Sequence, residues 1–189
     1  MSVEVARQIV LLGGGRAGKS DCAVRLAEEC ERKRGDDVCF IATAQAFDEE
    51  MRSRIASHRA ERPARWLTIE EPYRIDEALR GADNAGVVIV DCLTLFVSNW
   101  LLRHDDENEC ERVVRQIAGD FLRLARERRQ MLICVSNEAG LGVVPETRLG
   151  RVFRDLLGRV NQDCARSADE VYLLIAGLSL RLKPQEQSL

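Results

Sequence analysis

The residues Gly13-Gly14-Gly15-Arg16-Ala17-Gly18-Lys19-Ser20 fill the pattern G-x-x-x-x-G-K-[ST] at every fixed position. Their chemistry suits a polyphosphate. Backbone N–H groups converge on phosphate oxygens only where side chains leave them open, and a helix N-terminus behind them adds its positive end. In that frame Lys19 reaches the β- and γ-phosphates as a point charge, and the Ser20 hydroxyl ligates a bridging Mg2+. Gly13 to Ser20 are therefore candidate nucleotide contacts, with Lys19 catalytic and Ser20 a metal ligand. A glycine-rich turn that binds nothing is the plainer alternative.

Two further groups carry chemistry. Val87-Val88-Ile89-Val90-Asp91 reads as a buried strand ending in a Walker B carboxylate, which makes Asp91 a second candidate metal ligand. A cap on the next segment is its alternative role. His58 shares a predicted helix face with Met51 and Ile55, while Arg54, Arg59 and Arg62 crowd around it. An imidazole among guanidiniums suits an anion. On spacing alone, however, such a histidine fits a core position, and the arginines fit solvated pairs such as Glu50 with Arg54.

The elements that must position these groups alternate. Ile9 to Leu12 predicts a short buried strand, followed by a helix whose apolar stripe runs from Cys22 to Cys30 and stops at Gly35. Val38 to Thr43 predicts a second strand, with Thr43-Ala44-Gln45 at its end facing a nucleotide crevice. Asp48 caps a helix from Glu49 to about Arg62, where Pro63 stops it. Trp66 to Glu70 reads as a short strand and Ile75 to Leu79 as a weak helix. An apolar helix follows from Thr94 to Leu102, then a long amphipathic one through Val113 to Ala125. Met131 to Ser136 is a buried strand, followed by a glycine-bearing loop from Asn137 to Glu146 that either covers a ligand or merely connects. Arg148 onward is helical again, and Glu170 to Ala176 with Leu178 to Lys183 form closing strands around Gly177. The order predicts a P-loop α/β fold: a mostly parallel sheet with helices on both faces and an antiparallel last edge.

The chain has 189 residues and no Pro-, Gly- or Ser-rich linker, so residues 1–189 read as one domain. With 28 basic and 31 acidic residues the net charge is −3, which argues against a general nucleic-acid or anionic-membrane binder. The N-terminal stretch lacks a signal-peptide apolar core, and the longest apolar run, Val87 to Leu102, is interrupted by Asp91 and Asn99. The 7 cysteines include no C-x-x-C pair and sit mostly in apolar runs, which predicts reduced core thiols in a cytoplasmic protein rather than a zinc site.

Beyond the phosphate loop, the segments FIATAQAFDEEMRSRI, HRAERP, VDCLTLFVSNWL, SNEAGLGVVPETRLGRVFRDLLGRVNQ and ADEVYLLIAG together resemble the bifunctional adenosylcobinamide kinase / adenosylcobinamide-phosphate guanylyltransferase family. The resemblance runs from Ile9 to Lys183. It implies phosphorylation of the aminopropanol arm of adenosylcobinamide by ATP or GTP, then transfer of GMP from GTP onto that phosphate. It further implies that His58, in the H-R-x-x-R-P frame, carries GMP covalently, whereas His104 lies outside the motif. Nucleotide contacts are implied at Gly13 to Ser20, Thr43, Ala44, Gln45, Arg59, Ala60, Glu61, Arg62, Glu70 and Asp91. A surface carboxylate is the plainer role for Glu70. Some relatives carry a second histidine where this chain has Ser57. The resemblance also implies Mg2+, a homotrimer, and neither nucleic acid nor a membrane span. A P-loop kinase without guanylyl transfer, and a GTP-binding regulator, remain alternatives.

Overall fold

The computed structural model describes residues 7–46, 48–60 and 62–184, the side chain of Arg54 excepted. Seven strands form one sheet in the order β3-β2-β4-β5-β1-β6-β7. They are β1 (Gln8–Gly13), β2 (Asp37–Ala42), β3 (Leu67–Glu70), β4 (Ala85–Asp91), β5 (Met131–Val135), β6 (Glu170–Ile175) and β7 (Leu178–Lys183). The first six run parallel, and β7 returns antiparallel beside β6. The helices are α1 (Lys19–Arg34), α2 (Glu49–Ala60), α3 (Ile75–Arg80), α4 (Leu93–Arg103), α5 (Glu107–Glu127) and α6 (Arg148–Ser167). This is the predicted alternation, including the antiparallel edge.

Because side chains alternate along a strand, each central strand feeds two cores. Ile9, Leu11, Val38, Phe40, Val87, Ile89 and Ile133 face α1. Val10, Leu12, Cys39, Ile41, Val88, Val90 and Leu132 face α3, α4, α5 and α6. Phe40, Phe96 and Phe121 are among the largest side chains fully removed from water. Each such burial contributes roughly 1.5–3 kcal/mol. Exposed ion pairs such as Arg112–Glu109 contribute about 0–1 kcal/mol, so the two apolar faces hold the fold.

Local stop signals act where expected, with one exception. Gly35 adopts φ 71° and its N–H bonds to the Glu31 carbonyl at 2.8 Å, closing α1. The Asp48 carboxylate accepts the Met51 N–H at 2.7 Å, opening α2. That helix ends at Ala60 rather than near Arg62, since the restriction that Pro63 imposes on the residue before it already disfavours helix there. The expected apolar face of α2 is also weaker than its spacing suggests. Met51 and Ile55 are half-buried, His58 is exposed, and no described side chain of α2 is buried.

The strand order decides which loops meet. β5 lies between β1 and β4, so the C-terminal ends of β1, β5, β4 and β2 stand in a row. Those ends carry the phosphate loop, Asn137-Glu138, Asp91 and Thr43, in that order.

Candidate active site

The phosphate loop is built as its residues require. Gly13 has φ 153°, and a Cβ there would stand 2.4 Å from the Leu174 carbonyl oxygen, so only glycine lets β1 pass β6 at this point. Gly18 adopts φ 87° at the start of α1, and the Gly177 N–H of the β6–β7 turn holds the Ala17 carbonyl at 3.2 Å. Lys19 is 7% exposed, and its Nζ donates to the Gly14 carbonyl at 2.6 Å. That bond folds the ammonium over the loop where a polyphosphate would sit. Burial lowers its pKa, while Asp91 pulls the other way.

Asp91 receives the Ser20 hydroxyl hydrogen bond. A hydroxyl and a carboxylate presenting adjacent oxygens form a hard donor set that fits Mg2+. Burial raises the Asp91 pKa, and the Ser20 bond and the charges of His58, Arg62 and Lys19 oppose that rise.

His58 and Arg62 join this group from outside the core. Together with Ser20, Asp91, Phe40 and Arg25 they line a cavity of about 170 Å³ on the α1 side of the sheet. The Arg62 guanidinium lies over the Phe40 ring, 3.6 Å from its centroid, which fixes the fork at the cavity wall. Arg59 does otherwise. Its Nη1 meets the Glu70 carboxylate at 3.3 Å, and both side chains are largely exposed, so two of the candidate contacts pair with each other at the surface. Ala60 is exposed on α2, and Glu61 lies outside the described residues.

Thr43 has a role that its position in the sequence did not reveal. It is fully buried, its hydroxyl donates to the Cys92 carbonyl at 2.7 Å, and it accepts the Cys92 N–H at 2.8 Å. Asn99 then donates to the Thr43 carbonyl at 2.8 Å and the Pro72 carbonyl at 3.2 Å. Thr43 therefore locks the end of β2 to the residue after Asp91. Gln45 sits beyond it, with the Tyr73 hydroxyl 3.5 Å from its Oε1. Neither Cys92 nor Asn99 carries a local sequence signal for this role, because their partners lie 49 and 56 residues away.

All 7 cysteines are free thiols, and burial raises several, Cys39 to about 11 and Cys92 and Cys164 to about 12. Among the described residues no helix is long and apolar enough to cross a membrane.

Fold and site together define a P-loop nucleotide-binding protein. The crystal structure of the KaiC-like protein PH0186 from Pyrococcus horikoshii superposes with a TM-score of 0.52 at 17% identity, over 89% of this chain and 71% of that one, which is a likeness of fold alone. The family model for cobinamide kinase / cobinamide phosphate guanyltransferase matches residues 9–182, and the chain belongs to that family. It is 44% identical to the bifunctional adenosylcobalamin biosynthesis protein CobP of Pseudomonas aeruginosa, over 92% of this chain and 96% of that one. It is also 34% identical to CobU of Escherichia coli, over 93% and 99%.

Proposed function

We propose that this chain phosphorylates adenosylcobinamide with ATP or GTP and then transfers GMP from GTP onto the product through a guanylylated His58. The observation that carries the reading is the shared cavity: His58 and Arg62 stand with Ser20 and Asp91 at the phosphate loop. Mg2+ bound through Ser20 and Asp91 would neutralise phosphate charge. In the first step the acceptor oxygen forms a bond to the γ-phosphorus, the bond to the β–γ bridging oxygen breaks, and Lys19 stabilises the charge on the transferring group.

In the second step an imidazole nitrogen of His58 attacks the α-phosphorus of GTP. A P–N bond forms, the α–β P–O bond breaks, pyrophosphate leaves, and the ring proton passes to solvent. An oxygen of the phosphorylated acceptor then bonds to that phosphorus, the P–N bond breaks, and a proton from solvent returns to the ring to restore the neutral imidazole of His58. Arg62 binds phosphate oxygens during both displacements. Gly13 to Ser20, Thr43, Ala44, Gln45, Arg59, Ala60, Glu61, Glu70 and Asp91 complete the nucleotide site, within a single domain over residues 1–189. The proposed assembly is a homotrimer in the cytoplasm.

Incubation with GTP and Mg2+ should give a protein-bound GMP stable to alkali and labile to acid, as a P–N bond is. His58→Ala should lack that adduct and fail in guanylyl transfer while still phosphorylating adenosylcobinamide. An adduct that persists in His58→Ala places the nucleophile elsewhere. A chain that turns over adenosylcobinamide to its phosphate and never forms the adduct is a kinase alone.

A further inference from the structure

A second cavity, of about 500 Å³, opens on the opposite face of the sheet, between the loop after β5 and the exposed side of α6. It is lined by Leu12, Glu138, Arg154, Asp155, Gly158 and Gln162, among others. Leu12 is the residue before the phosphate loop, and the Glu138 N–H donates to the Gly13 carbonyl at 3.0 Å. The cavity therefore ends at the phosphate loop, on the side away from His58. Glu138 is half-buried, and its Oε1 accepts the Gly140 N–H at 2.8 Å, which holds the carboxylate beside the loop.

We propose that this groove receives the amide-linked alcohol arm of the acceptor, and that Glu138 takes the proton of the acceptor hydroxyl in the kinase step. The reading rests on the kinase activity proposed above. In-line phosphoryl transfer needs the incoming and leaving oxygens on opposite sides of phosphorus. Because β5 lies between the phosphate-loop strand and the Asp91 strand, Glu138 just past its end stands beside the phosphate loop, on the side away from His58. The lining suits the arm: the Gln162 amide can donate to an amide carbonyl and accept an amide N–H, and Arg154 and Asp155, paired with each other at 3.1 Å, make the wall beside it polar. At about 500 Å³ the groove holds the arm and leaves the macrocycle outside, over the exposed Leu141 and Val143 of the neighbouring loop. As the acceptor oxygen bonds to the γ-phosphorus, its proton moves to the Glu138 carboxylate, the bond to the bridging oxygen breaks, and the nucleoside diphosphate leaves.

Gly158 supplies a clean test, because a Cβ at that helical position meets nothing within 4 Å. Gly158→Phe starts its side chain in open space at the groove wall and is placed to fill the groove. It should raise the KM for adenosylcobinamide at least ~10-fold while forming the GMP adduct on GTP alone at the wild-type rate, since that half-reaction uses no acceptor. Glu138→Gln keeps the oxygen that accepts from Gly140, so the loop stays in place. Its kinase kcat should fall by roughly 10²-fold with a near-normal KM. An unchanged KM in Gly158→Phe overturns the groove, and so does a change in its sedimentation, which would make this face a contact between copies. A wild-type kcat in Glu138→Gln removes that residue from the chemistry, and it alone decides should Gly158→Phe form no adduct. A wild-type chain that labels with GMP yet never phosphorylates adenosylcobinamide defeats the kinase reading itself, and the groove with it.

Discussion

Asp91 holds a charge where the surroundings disfavour one, and that conflict has a measurable consequence. Burial raises its folded-state pKa above the unfolded value, so the carboxyl contributes most to stability when protonated. That contribution is complete below the unfolded pKa and is lost as pH rises through the folded one. Above its folded pKa the ionised group therefore costs stability until a cation joins it. Asp91→Asn should raise the melting temperature of metal-free protein at pH 7, with the gap closing as pH falls toward about 4. Mg2+ with nucleotide should then stabilise the wild type and not the variant, and kinase turnover should be lost. A lower melting temperature for metal-free Asp91→Asn would mean that the Ser20 bond outweighs burial. Lys19 makes the complementary case. Its ammonium is held by one loop carbonyl, and Lys19→Ala should lower kinase kcat by at least roughly 10²-fold with the fold intact.

At the scale of elements, two contacts keep the strand ends in register. Gly13→Ala forces a methyl into the Leu174 carbonyl, a backbone atom that cannot swing aside, and should cost about 1–3 kcal/mol in denaturant unfolding along with nucleotide affinity. Thr43→Val keeps the shape but leaves the Cys92 N–H and carbonyl without their partner, and should cost about 1–3 kcal/mol. A midpoint unmoved by Thr43→Val would show that water replaces the hydroxyl. Much of this level was legible beforehand. The phosphate loop, the β4 run ending in Asp91 and the helical apolar spacing of α5 and α6 are local patterns, and each element formed where its pattern lies. What stayed hidden depends on partners far apart in the chain. The spacing of Met51, Ile55 and His58 suggested a buried face, yet α2 sits at the surface because its remaining described positions are polar or alanine. Arg59 and Glu70 were read as separate contacts, and only the strand order brings them together. Glu138 lay in a loop that read either as a ligand cover or as a mere connection, since nothing local shows that β5 ends beside Gly13.

At the scale of the molecule, the antiparallel β6–β7 hairpin ties the phosphate loop to a surface that water covers poorly. Leu173 pairs with Leu180 and Ile175 with Leu178, so their side chains share one face of the hairpin. Ile175 is 61% exposed, Leu178 76% and Leu180 58%, on a sheet edge that no further strand covers among the described residues. An exposed apolar edge of this kind invites association unless a partner covers it. Were the proposed homotrimer built on this edge, the hairpin of each copy would meet a different surface of the next, and three such head-to-tail contacts would close a ring. The turn of the same hairpin holds the Ala17 carbonyl through Gly177, so covering it would also brace the phosphate loop. Wild-type protein should therefore sediment as a trimer, whereas Leu178→Lys combined with Leu180→Glu should sediment as a monomer of native secondary structure. Nucleotide affinity should fall in that monomer although neither substituted residue touches the loop. A monomeric wild type would refute the assembly, and a monomeric variant with undiminished affinity would show that the hairpin braces the loop without help from a neighbouring copy.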